Sequence, residues 1–529
     1  MGYEAYQRLT KFKDPDKLTL QENNIRKTLI NPGPNLVVLD EGHLLKNGKN
    51  CRTKALMKVK TKRRIILTGT PLQNNLKEYY YMVQFVKPNL LGSYREYTNR
   101  FVNPITNGQF HDSTEGDIYN MKRRIHVLHK LLEATIQRYE VSELCPYLPK
   151  KSDYVLFIQL HPVQATLIEK LLELLKNGAE IVKGNIIINY HKLHLVWTHP
   201  LLLHLKDEQK NNPQKKVKEM DVVNLEPELD EPDESPEGWW QSLCPNDFKT
   251  NIDYGPKFKI MLSIIRECEK KGDKVLIFSN SILELDAIEL FLQHHSTAES
   301  QWLSKLDYYR LDGTVPPEKR LNMCNSFNDE NNKRARLFLI SHRVGGLGLN
   351  LVASNRLIVM DVSWNPAYDL QSIFRIFRFG QTKPCYVYRL VAMGTMEEIV
   401  YQRTINKLAI AGRVVDKMQM PRHYNSDDLQ VMYKLNFKID QERPLQDYHC
   451  GDAVLQQVLQ NCKEIFKYHE HETLLLDNPD EQLNENERQK AWKEYNEQNE
   501  KEQQAEALKK KGPVPLQPGS SGIQSFLPK

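Results

Sequence analysis

Two short stretches in opposite halves of the chain constrain its fold more than any other feature. In the first, the apolar run Leu36–Leu39 ends in the adjacent carboxylates Asp40 and Glu41. In the second, Arg375 and Arg378 are three residues apart, so both lie on one face if the segment is helical. Carboxylates at a strand end can hold magnesium and orient water, and paired guanidinium groups neutralise charge on a transferring phosphate. The sequence therefore predicts one nucleotide site between two α/β lobes.

The composition is that of a globular protein. The chain has 529 residues, 40% hydrophobic and 26% charged, which is enough for more than one buried core. A net charge of +6 is by itself weak evidence for a nucleic-acid partner. The eight cysteines include no CxxC pair, which argues against a zinc finger or a disulfide framework and predicts a reducing compartment. No apolar run reaches the roughly eighteen residues that suggest a membrane span.

Short apolar runs predict parallel strands in both halves of the chain. Residues 36–41 and 64–68 are such runs, and a strand-like segment follows at 154–160. In the second half the runs alternate with amphipathic helices, which predicts a parallel sheet with helices on both faces. The predicted strands there are 275–278, 336–340, 357–360 and 386–390, and the clearest predicted helices of the chain are 121–137, 256–270 and 282–294.

Changes in composition divide the chain into five predicted parts. Residues 206–250 combine prolines with many charged residues and cannot bury enough apolar surface to offset the entropy of ordering, so a disordered linker is expected. Trp239 and Trp240 near its end are expected to dock on a neighbouring surface. The parts are the C-terminal part of a first lobe (1–88), a helical protrusion with a return to that lobe (89–205), an acidic linker (206–250), a second lobe (251–425) and a helical or disordered extension (426–529).

Two loops after predicted strands add candidate site residues. Thr68, Gly69 and Thr70 offer hydroxyl and backbone N–H groups at the carboxyl edge of the first sheet. Gly345 and Gly346 would let the backbone approach a phosphate closely and donate N–H groups to it. A plain turn is the alternative for the first loop, and a glycine-rich loop alone is a weak signal. The arginine segment that follows the second loop favours a nucleotide site.

The histidines at 191, 194, 199 and 204 suggest a metal centre, but their spacing fits no compact ligand set. The alternative is that His199, which precedes Pro200 and three leucines, packs in the core or caps a helix. That second interpretation is favoured. The only metal expected is Mg²⁺ held with ATP at Asp40.

The order of the motifs resembles that of the Swi/Snf-type ATPases of helicase superfamily two. The strings that carry this resemblance are DEGH (40–43), LTGTPLQNN (67–75), HP (199–200), VLIFS (275–279), DGT (312–314), GGLGLNL (345–351), WNP (364–366) and QSIFRIFRFGQ (371–381). A narrower resemblance, to the ATRX subfamily of chromatin remodellers, rests on FVNPITNGQFHDST (101–114), QSIFRIFRFGQTKPCYVYRL (371–390) and FKYHEHETLL (466–475). The resemblance covers roughly residues 1–475.

This resemblance implies two RecA-like lobes, the first of them incomplete, that use ATP and Mg²⁺ to move on double-stranded DNA and nucleosomes in the nucleus. It implies that Asp40 helps to hold Mg²⁺, that Glu41 polarises the attacking water and that Arg375 and Arg378 are arginine fingers. Other chromatin proteins are the further partners it implies. The remaining implied roles are nucleotide contacts at Gly345, Gly346 and Gln371, and coupling or DNA contacts at His43, Thr68, Gly69, Thr70, Trp364 and Asn365.

One departure from the family pattern limits these expectations. No GxxxxGK[ST] loop occurs in the chain, so the backbone cradle and the lysine for the nucleotide phosphates are missing. We therefore expect the C-terminal portion of a longer protein, or a truncated form, that hydrolyses ATP poorly or not at all. The rival hypothesis is a non-enzymatic short form that binds chromatin or partners through its second lobe and tail.

The C-terminal tail contains a further weak signal. Residues from Ile523 to Phe526 resemble a degenerate sliding-clamp-binding box, but Ser520 stands where such a box has glutamine. A flexible tail with two chance apolar residues is the favoured alternative.

Overall fold

The protein, as a computed structural model, forms two sheets surrounded by helices. The residues that the structure describes are 1–12, 17–45, 47–48, 50–69, 76–139, 143–177, 186–211, 238–297, 300–345, 348–415, 435–436, 450–475 and 483–510. No helix in this part of the chain is both long and apolar enough to cross a membrane.

The strands belong to a two-stranded and a seven-stranded sheet. Their bounds are β1 Val37–Asp40, β2 Arg64–Leu67, β3 Lys151–Ile158, β4 Lys274–Ser279, β5 Tyr308–Leu311, β6 Leu337–Ser341, β7 Ser354–Val359, β8 Cys385–Ala392 and β9 Ile465–Glu470. The seven-stranded sheet has the order β5-β6-β4-β7-β8-β3-β9, and β9 is its antiparallel strand.

The α-helices precede, separate and follow these strands. Their bounds are α1 Tyr3–Leu9, α2 Leu20–Leu29, α3 Cys51–Met57, α4 Leu76–Val86, α5 Tyr94–Tyr97, α6 Asn103–Asn107, α7 Glu115–Leu132, α8 Pro162–Asn177, α9 Ile186–Thr198, α10 Leu201–Asn211, α11 Pro256–Lys271, α12 Ile282–His294, α13 Pro317–Asn328, α14 His342–Gly345, α15 Pro366–Ile373, α16 Met396–Val415, α17 Ala453–Asn461 and α18 Glu485–Lys510. The predicted helices at 256–270 and 282–294 are confirmed as α11 and α12.

The first lobe is built around β1 and β2, which pair in parallel with Asp40 opposite Leu67. The packing here needs Gly42, because a Cβ at that position would lie 2.3 Å from a side-chain carbon of Ile66. Helices α4, α6 and α7 supply most of the buried core. One face of the sheet stays open to solvent, with Val38 50% and Ile65 46% exposed. This exposure is what a short parallel sheet shows when further strands and helices do not cover it.

The second lobe is built around the seven-stranded sheet, which buries both of its faces. Along β4, Val275 and Ile277 enter one core, whereas Leu276 and Phe278 enter the core on the opposite face. The period of two along the strand produces this division, and helices cover each side. The predicted α/β fold with a parallel-dominated sheet is confirmed.

Strand β3 changes the predicted domain outline. The range 89–205 was expected to return to the first lobe, but β3 pairs with β8 along its whole length and belongs to the second sheet. The physical reason is its uninterrupted burial, because seven of its eight residues are buried and need cover on both faces. β5 and β9 were not predicted, and β9 lies in the range expected to be helical or disordered.

The predicted linker is folded at both of its ends. α10 continues to Asn211, and residues 238–250 form turns, while 212–237 lie outside the described residues. Trp240 is buried, its indole N–H donates to Asp207 at 2.9 Å, and its ring packs edge-on against Phe248. The expected docking of the tryptophan pair is confirmed for Trp240.

His199 joins helix α10 to the second lobe. Its Nδ1 accepts from the N–H of Leu201 at 3.0 Å, and its Nε2 faces the carbonyl of Asn251 at 3.2 Å. Its ring packs against Phe258 and Phe291. The interpretation of His199 as a packing and capping residue is confirmed. Burial lowers the pKa of His199 to about 3, so the folded protein keeps this imidazole neutral.

We expect His199→Gln to weaken the acid sensitivity of the fold. Below about pH 6.5, which is the ordinary pKa of histidine, the unfolded chain binds a proton at His199 and the folded chain does not. The free energy of unfolding therefore falls as pH falls. Between pH 7.5 and 5.5 this single group should account for about 1.4 kcal/mol of lost unfolding free energy. Urea unfolding at both pH values measures the loss for the parent and the variant. His111→Gln, at an exposed position, is the control, and equal losses in the parent and His199→Gln would contradict the assignment.

Candidate active site between the two lobes

The first side of the candidate site is the carboxyl end of β1. Asp40 is exposed at this end, and its Oδ1 accepts from the backbone N–H of Glu41 at 3.0 Å. Glu41 has φ 51° and ψ 46°, a left-handed conformation that is uncommon for a residue with a side chain. The turn from strand to the short helix Gly42–Leu44 thus starts at Glu41 itself. The hydroxyl of Tyr3 donates to the carbonyl of Asp40 at 2.6 Å and fixes the backbone there.

His43 connects Glu41 to the loop after β2. With its proton on Nδ1, His43 donates to Glu41 Oε2 at 3.1 Å, and Thr68 Oγ1 lies 3.1 Å from the same nitrogen. The hydrogen bond from His43 lowers the pKa of Glu41, and the charges of His43 and Arg375 act in the same direction against the effect of burial. Glu41 is therefore ionised at neutral pH, which is the form that can accept a proton from water.

The second side of the site is the segment that follows α15. The helix ends at Ile373, so Arg375 and Arg378 lie in consecutive turns and not on a helical face as predicted. After the helix the backbone hydrogen bonds change. The N–H of Arg375 donates to the carbonyl of Ser372, and the carbonyl of Arg375 accepts from the N–H of Leu351. Arg378 donates to the carbonyl of Leu349 at 3.2 Å.

The two sides meet through Glu41 and Arg375. Arg375 is 8% exposed, and its Nε makes no hydrogen bond within the described part of the chain. Burial lowers the pKa of Arg375, the neighbouring Arg378 lowers it further, and Glu41 raises it. Glu41 and Arg375 form no ion pair, and each is a minor influence on the pKa of the other, so the carboxylate of one lobe and the guanidinium of the other lie near each other without direct contact. Such a pair can hold water and a phosphate between opposite charges.

Of the other predicted site residues that the structure describes, Asn365 and Trp364 make structural contacts, and for the rest only their position in the fold is known. Asn365 caps α15, with its Oδ1 accepting from Ala367 at 3.1 Å. The ring of Trp364 packs edge-on against Tyr190 at 5.2 Å. Gln371 is half-buried on α15, and Gly345 ends α14. Gly69 follows β2, and no atom of the described residues lies within 4 Å of the position that a Cβ would take there. Thr70 and Gly346 lie outside the described residues, as do the tail residues Ile523 and Phe526. The nucleotide and DNA roles of all these residues stay predictions.

A Mg²⁺ ion with its nucleotide fits the chemistry of the first side. Asp40 supplies an exposed carboxylate, the hard oxygen donor that Mg²⁺ takes, at the end of a parallel strand. The ion would bind there with the phosphates of ATP and supply positive charge to the developing negative charge.

Sequence reasoning missed His342, which ties the glycine-rich loop to the arginine segment. Its Nδ1 lies 3.2 Å from Ser372 Oγ, one residue after Gln371 and three before Arg375. Burial lowers the pKa of His342 to about 3, so the ring is neutral. The available signal was the position of a histidine directly after a buried strand, at the start of the glycine-rich loop.

Sequence reasoning also missed a buried charge network beneath α15. Arg389 donates to Asp153 on β3 at 2.9 Å and to Asp369 on α15 at 3.0 Å, and all three side chains are buried. The network connects the strand from the first half of the chain to the helix that precedes the arginines. Asp153 and Arg389 stand in separate apolar runs, so their pairing cannot be read from local spacing.

Among the four histidines first considered as metal ligands, His194 lies near two buried carboxylates, whereas His204 pairs with Glu208 on its own helix at 2.9 Å. The Nε2 of His194 lies 3.7 Å from Asp361 and 4.0 Å from Glu284, close enough for the three groups to share a cation. The carboxylates already have partners, because Ser279 donates to Glu284 and the N–H of Asn280 donates to Asp361. Burial raises the pKa of both carboxyls, to about 7 for Glu284, and the positive charge of Lys257 opposes this only in part. His194 Nε2 itself lies 3.4 Å from Thr198 Oγ1 on the same helix and beyond hydrogen-bond distance of both carboxylates.

Comparison with known proteins decides the family. Residues 16–222 match the model of the SNF2-related domain, and residues 256–380 match the helicase conserved C-terminal domain. The chain belongs to the Swi/Snf-type ATPases of helicase superfamily two. It is 41% identical to the transcriptional regulator ATRX homolog of Drosophila melanogaster and 36% identical to the transcriptional regulator ATRX of Homo sapiens, in each case over 94% of this chain. The resemblance to ATRX is thereby confirmed.

This chain matches only part of the length of these relatives. The chain spans 44% of the length of the fly protein and 24% of the human one. A solved Sulfolobus solfataricus SWI2/SNF2 ATPase core in complex with dsDNA is 22% identical, covers 82% of this chain and 76% of its own, and has a TM-score of 0.36. That score is too low to bear on the arrangement of the lobes.

We expect Arg389→Met to destabilise the second lobe strongly. Removing one member of a buried ion network leaves the other charges unpaired, at a cost of about 3–5 kcal/mol. Lys383→Met is the matched control, because Lys383 is 52% exposed and pairs with Asp273 at 3.4 Å, an arrangement worth at most about 1 kcal/mol. Chemical unfolding of both variants measures the difference. Equal losses for the two variants would show that the network does not hold the lobe.

Proposed function

We propose that this chain carries the hydrolytic carboxylates and the arginine fingers of a double-stranded-DNA-dependent ATPase of the ATRX type. The observation that supports the proposal is the position of Glu41 at the end of β1 and of Arg375 just after α15, near enough for each charge to influence the pKa of the other across the two lobes. An acidic and a basic group from distant parts of the chain have no structural need to face each other in a cleft. A phosphoryl-transfer site does need this arrangement, because it must activate water on one side and neutralise phosphate charge on the other.

Each side of the cleft has a distinct chemical task in this proposal. Glu41, ionised and oriented by His43, accepts a proton from the attacking water. Asp40 holds Mg²⁺ together with the nucleotide. Arg375 and Arg378 stabilise the negative charge that spreads over the transferring phosphate. His43 also contacts Thr68, so the position of Glu41 is coupled to the loop after β2.

The relatives support DNA and chromatin as the substrates. Proteins named as transcriptional regulators share this chain's sequence over most of its length, which supports a nuclear role on nucleosomal DNA. Movement along DNA would follow from opening and closing of the lobes on the phosphate backbone. Contacts to phosphates are sequence-independent, so the protein would bind many DNA sequences alike.

The lack of GxxxxGK[ST] among the 529 residues favours, for this chain on its own, an alternative function as a binding module. Without the backbone cradle and its lysine, ATP would bind weakly, and the chain would act as a chromatin-binding or partner-binding module. Hydrolysis would then require a polypeptide that joins these residues to a phosphate-binding loop. The sliding clamp remains a weak candidate partner through the tail at Ile523–Phe526.

We expect Glu41→Gln and Arg375→Ala each to abolish DNA-stimulated hydrolysis in a longer protein that contains this chain and a GxxxxGK[ST] loop. Loss of a finger costs on the order of 10³-fold in turnover, about 4 kcal/mol of barrier. Release of phosphate with and without double-stranded DNA measures the effect. Arg334→Ala is the control, because Arg334 is half exposed and pairs with Asp307 away from the cleft. Turnover that survives Glu41→Gln, or that needs no DNA, would contradict the proposal.

We expect the chain itself to bind double-stranded DNA with strong salt dependence and little sequence preference. Each neutralised phosphate contributes about −0.9 to the slope of log K against log salt, so several contacts give a steep line. Fluorescence anisotropy with two unrelated duplexes from low to moderate salt measures this slope. A flat line, or binding to one duplex alone, would favour a protein-binding module over a DNA motor.

A further inference from the structure

Helix α18 follows the second sheet in the chain but packs in the core of the first lobe. Ala491 and Tyr495 are 3% and 7% exposed and belong to the same buried cluster as Met121 and Leu128 of α7. The chain therefore crosses back from the second lobe to the first between β9 and α18. It begins with a reciprocal cap between Asn484 and Glu487.

Aromatic and charged contacts hold α18 on the first lobe. Trp492 stacks on Tyr495, and the ammonium of Lys130 lies 4.6 Å from the centre of the Trp492 ring. Glu494 forms an ion pair with Arg123, and Arg100 donates to Asn499 at 3.4 Å. Tyr495 also packs 6.2 Å from Phe101. These contacts lie between Ala491 and Asn499, on one face of the helix.

Helix α18 depends on this docking. Its sequence is rich in Glu, Gln, Asn and Lys with few apolar residues, so it has no broad apolar stripe of its own. Isolated helices gain little stability in water, and most helical stability in proteins comes from packing. The aromatic pair Trp492 and Tyr495 is thus the main anchor that keeps the helix in place.

The covalent connection limits how far the two lobes can move apart while α18 is docked. Strand β9 belongs to the second sheet, and the chain runs from it through Leu475 to Leu483, just before α18. Eight residue steps span at most about 29 Å when fully extended. Helix α16, which follows β8, also contacts α7 and gives a second connection at the same place.

We propose that α18 is a strap that holds the second lobe close to the first and restricts their separation until the helix is released. The strap acts on α7, outside the Glu41–Arg375 cleft, and it would keep the two sides of that cleft within reach of each other. Release would allow a wider range of lobe positions. The strap goes beyond the proposed ATPase function. Its test measures the distance between the lobes without nucleotide, so a negative result would leave the ATPase proposal standing.

The distance between the lobes tests the strap directly. Single-molecule energy transfer between dyes on non-canonical residues placed at the exposed positions Lys62 and Glu318 reports this distance in the full chain. Trp492→Ala with Tyr495→Ala should broaden the distribution and shift it to longer distances. Lys493→Ala, on the exposed face of the same helix, should leave it unchanged.

A charge exchange separates undocking from misfolding. Glu494→Arg should broaden the distribution, because it places a third positive charge beside Arg123 and Arg124. Adding Arg123→Glu should move the distribution back towards that of the parent. An unchanged distribution in the aromatic variant and in Glu494→Arg would overturn the proposal. If the aromatic variant fails to fold, broadening in Glu494→Arg that the second change does not reverse would overturn it as well.

Discussion

The central physical constraint is the opposition of Glu41 on one lobe to Arg375 on the other. Arg375 is almost completely buried next to a second cation, Arg378, and both burial and that neighbour disfavour its charge. Glu41 opposes these effects only in part. Its own charge is favoured mainly by the hydrogen bond from His43 in the same lobe, with a smaller contribution from Arg375 in the other lobe. A cleft with a carboxylate on one side and guanidinium groups on the other is suited to binding a phosphate group together with a water molecule.

Buried connections on both sides hold this opposition in place. On the first side, His43 joins Glu41 to Thr68 across two parallel strands, and Gly42 packs closely against Ile66 beside them. On the second side, His342 binds Ser372, and Arg389 joins α15 to β3. β3 is the strand by which the first half of the chain enters the second sheet. The strap α18 returns in the opposite direction, so the two lobes are connected through both halves of the sequence.

Local patterns in the sequence were sufficient for the parallel strands of both lobes except β5, and for α11 and α12, since periodicity and apolar runs depend on short-range chemistry. They were also sufficient for the position of Glu41 at a strand end. They did not reveal that β3 joins the second sheet, because strand pairing depends on partners distant in sequence. The arginines were expected on a helix, but the bond from Leu351 to the carbonyl of Arg375 ends the helical pattern. His342 and Arg389 were missed because their partners are distant in the chain.

A cross-linking measurement tests the central claim most directly. Glu41→Cys and Arg375→Cys are combined in a chain whose exposed Cys51 is replaced by serine, and a short bifunctional thiol reagent is added. The account predicts an internal cross-link between the two introduced thiols, detected by mass spectrometry of the digested chain. It predicts none when Glu41→Cys is combined with Arg334→Cys instead. Absence of the first cross-link, while both thiols react with a monofunctional reagent, would contradict the composite cleft.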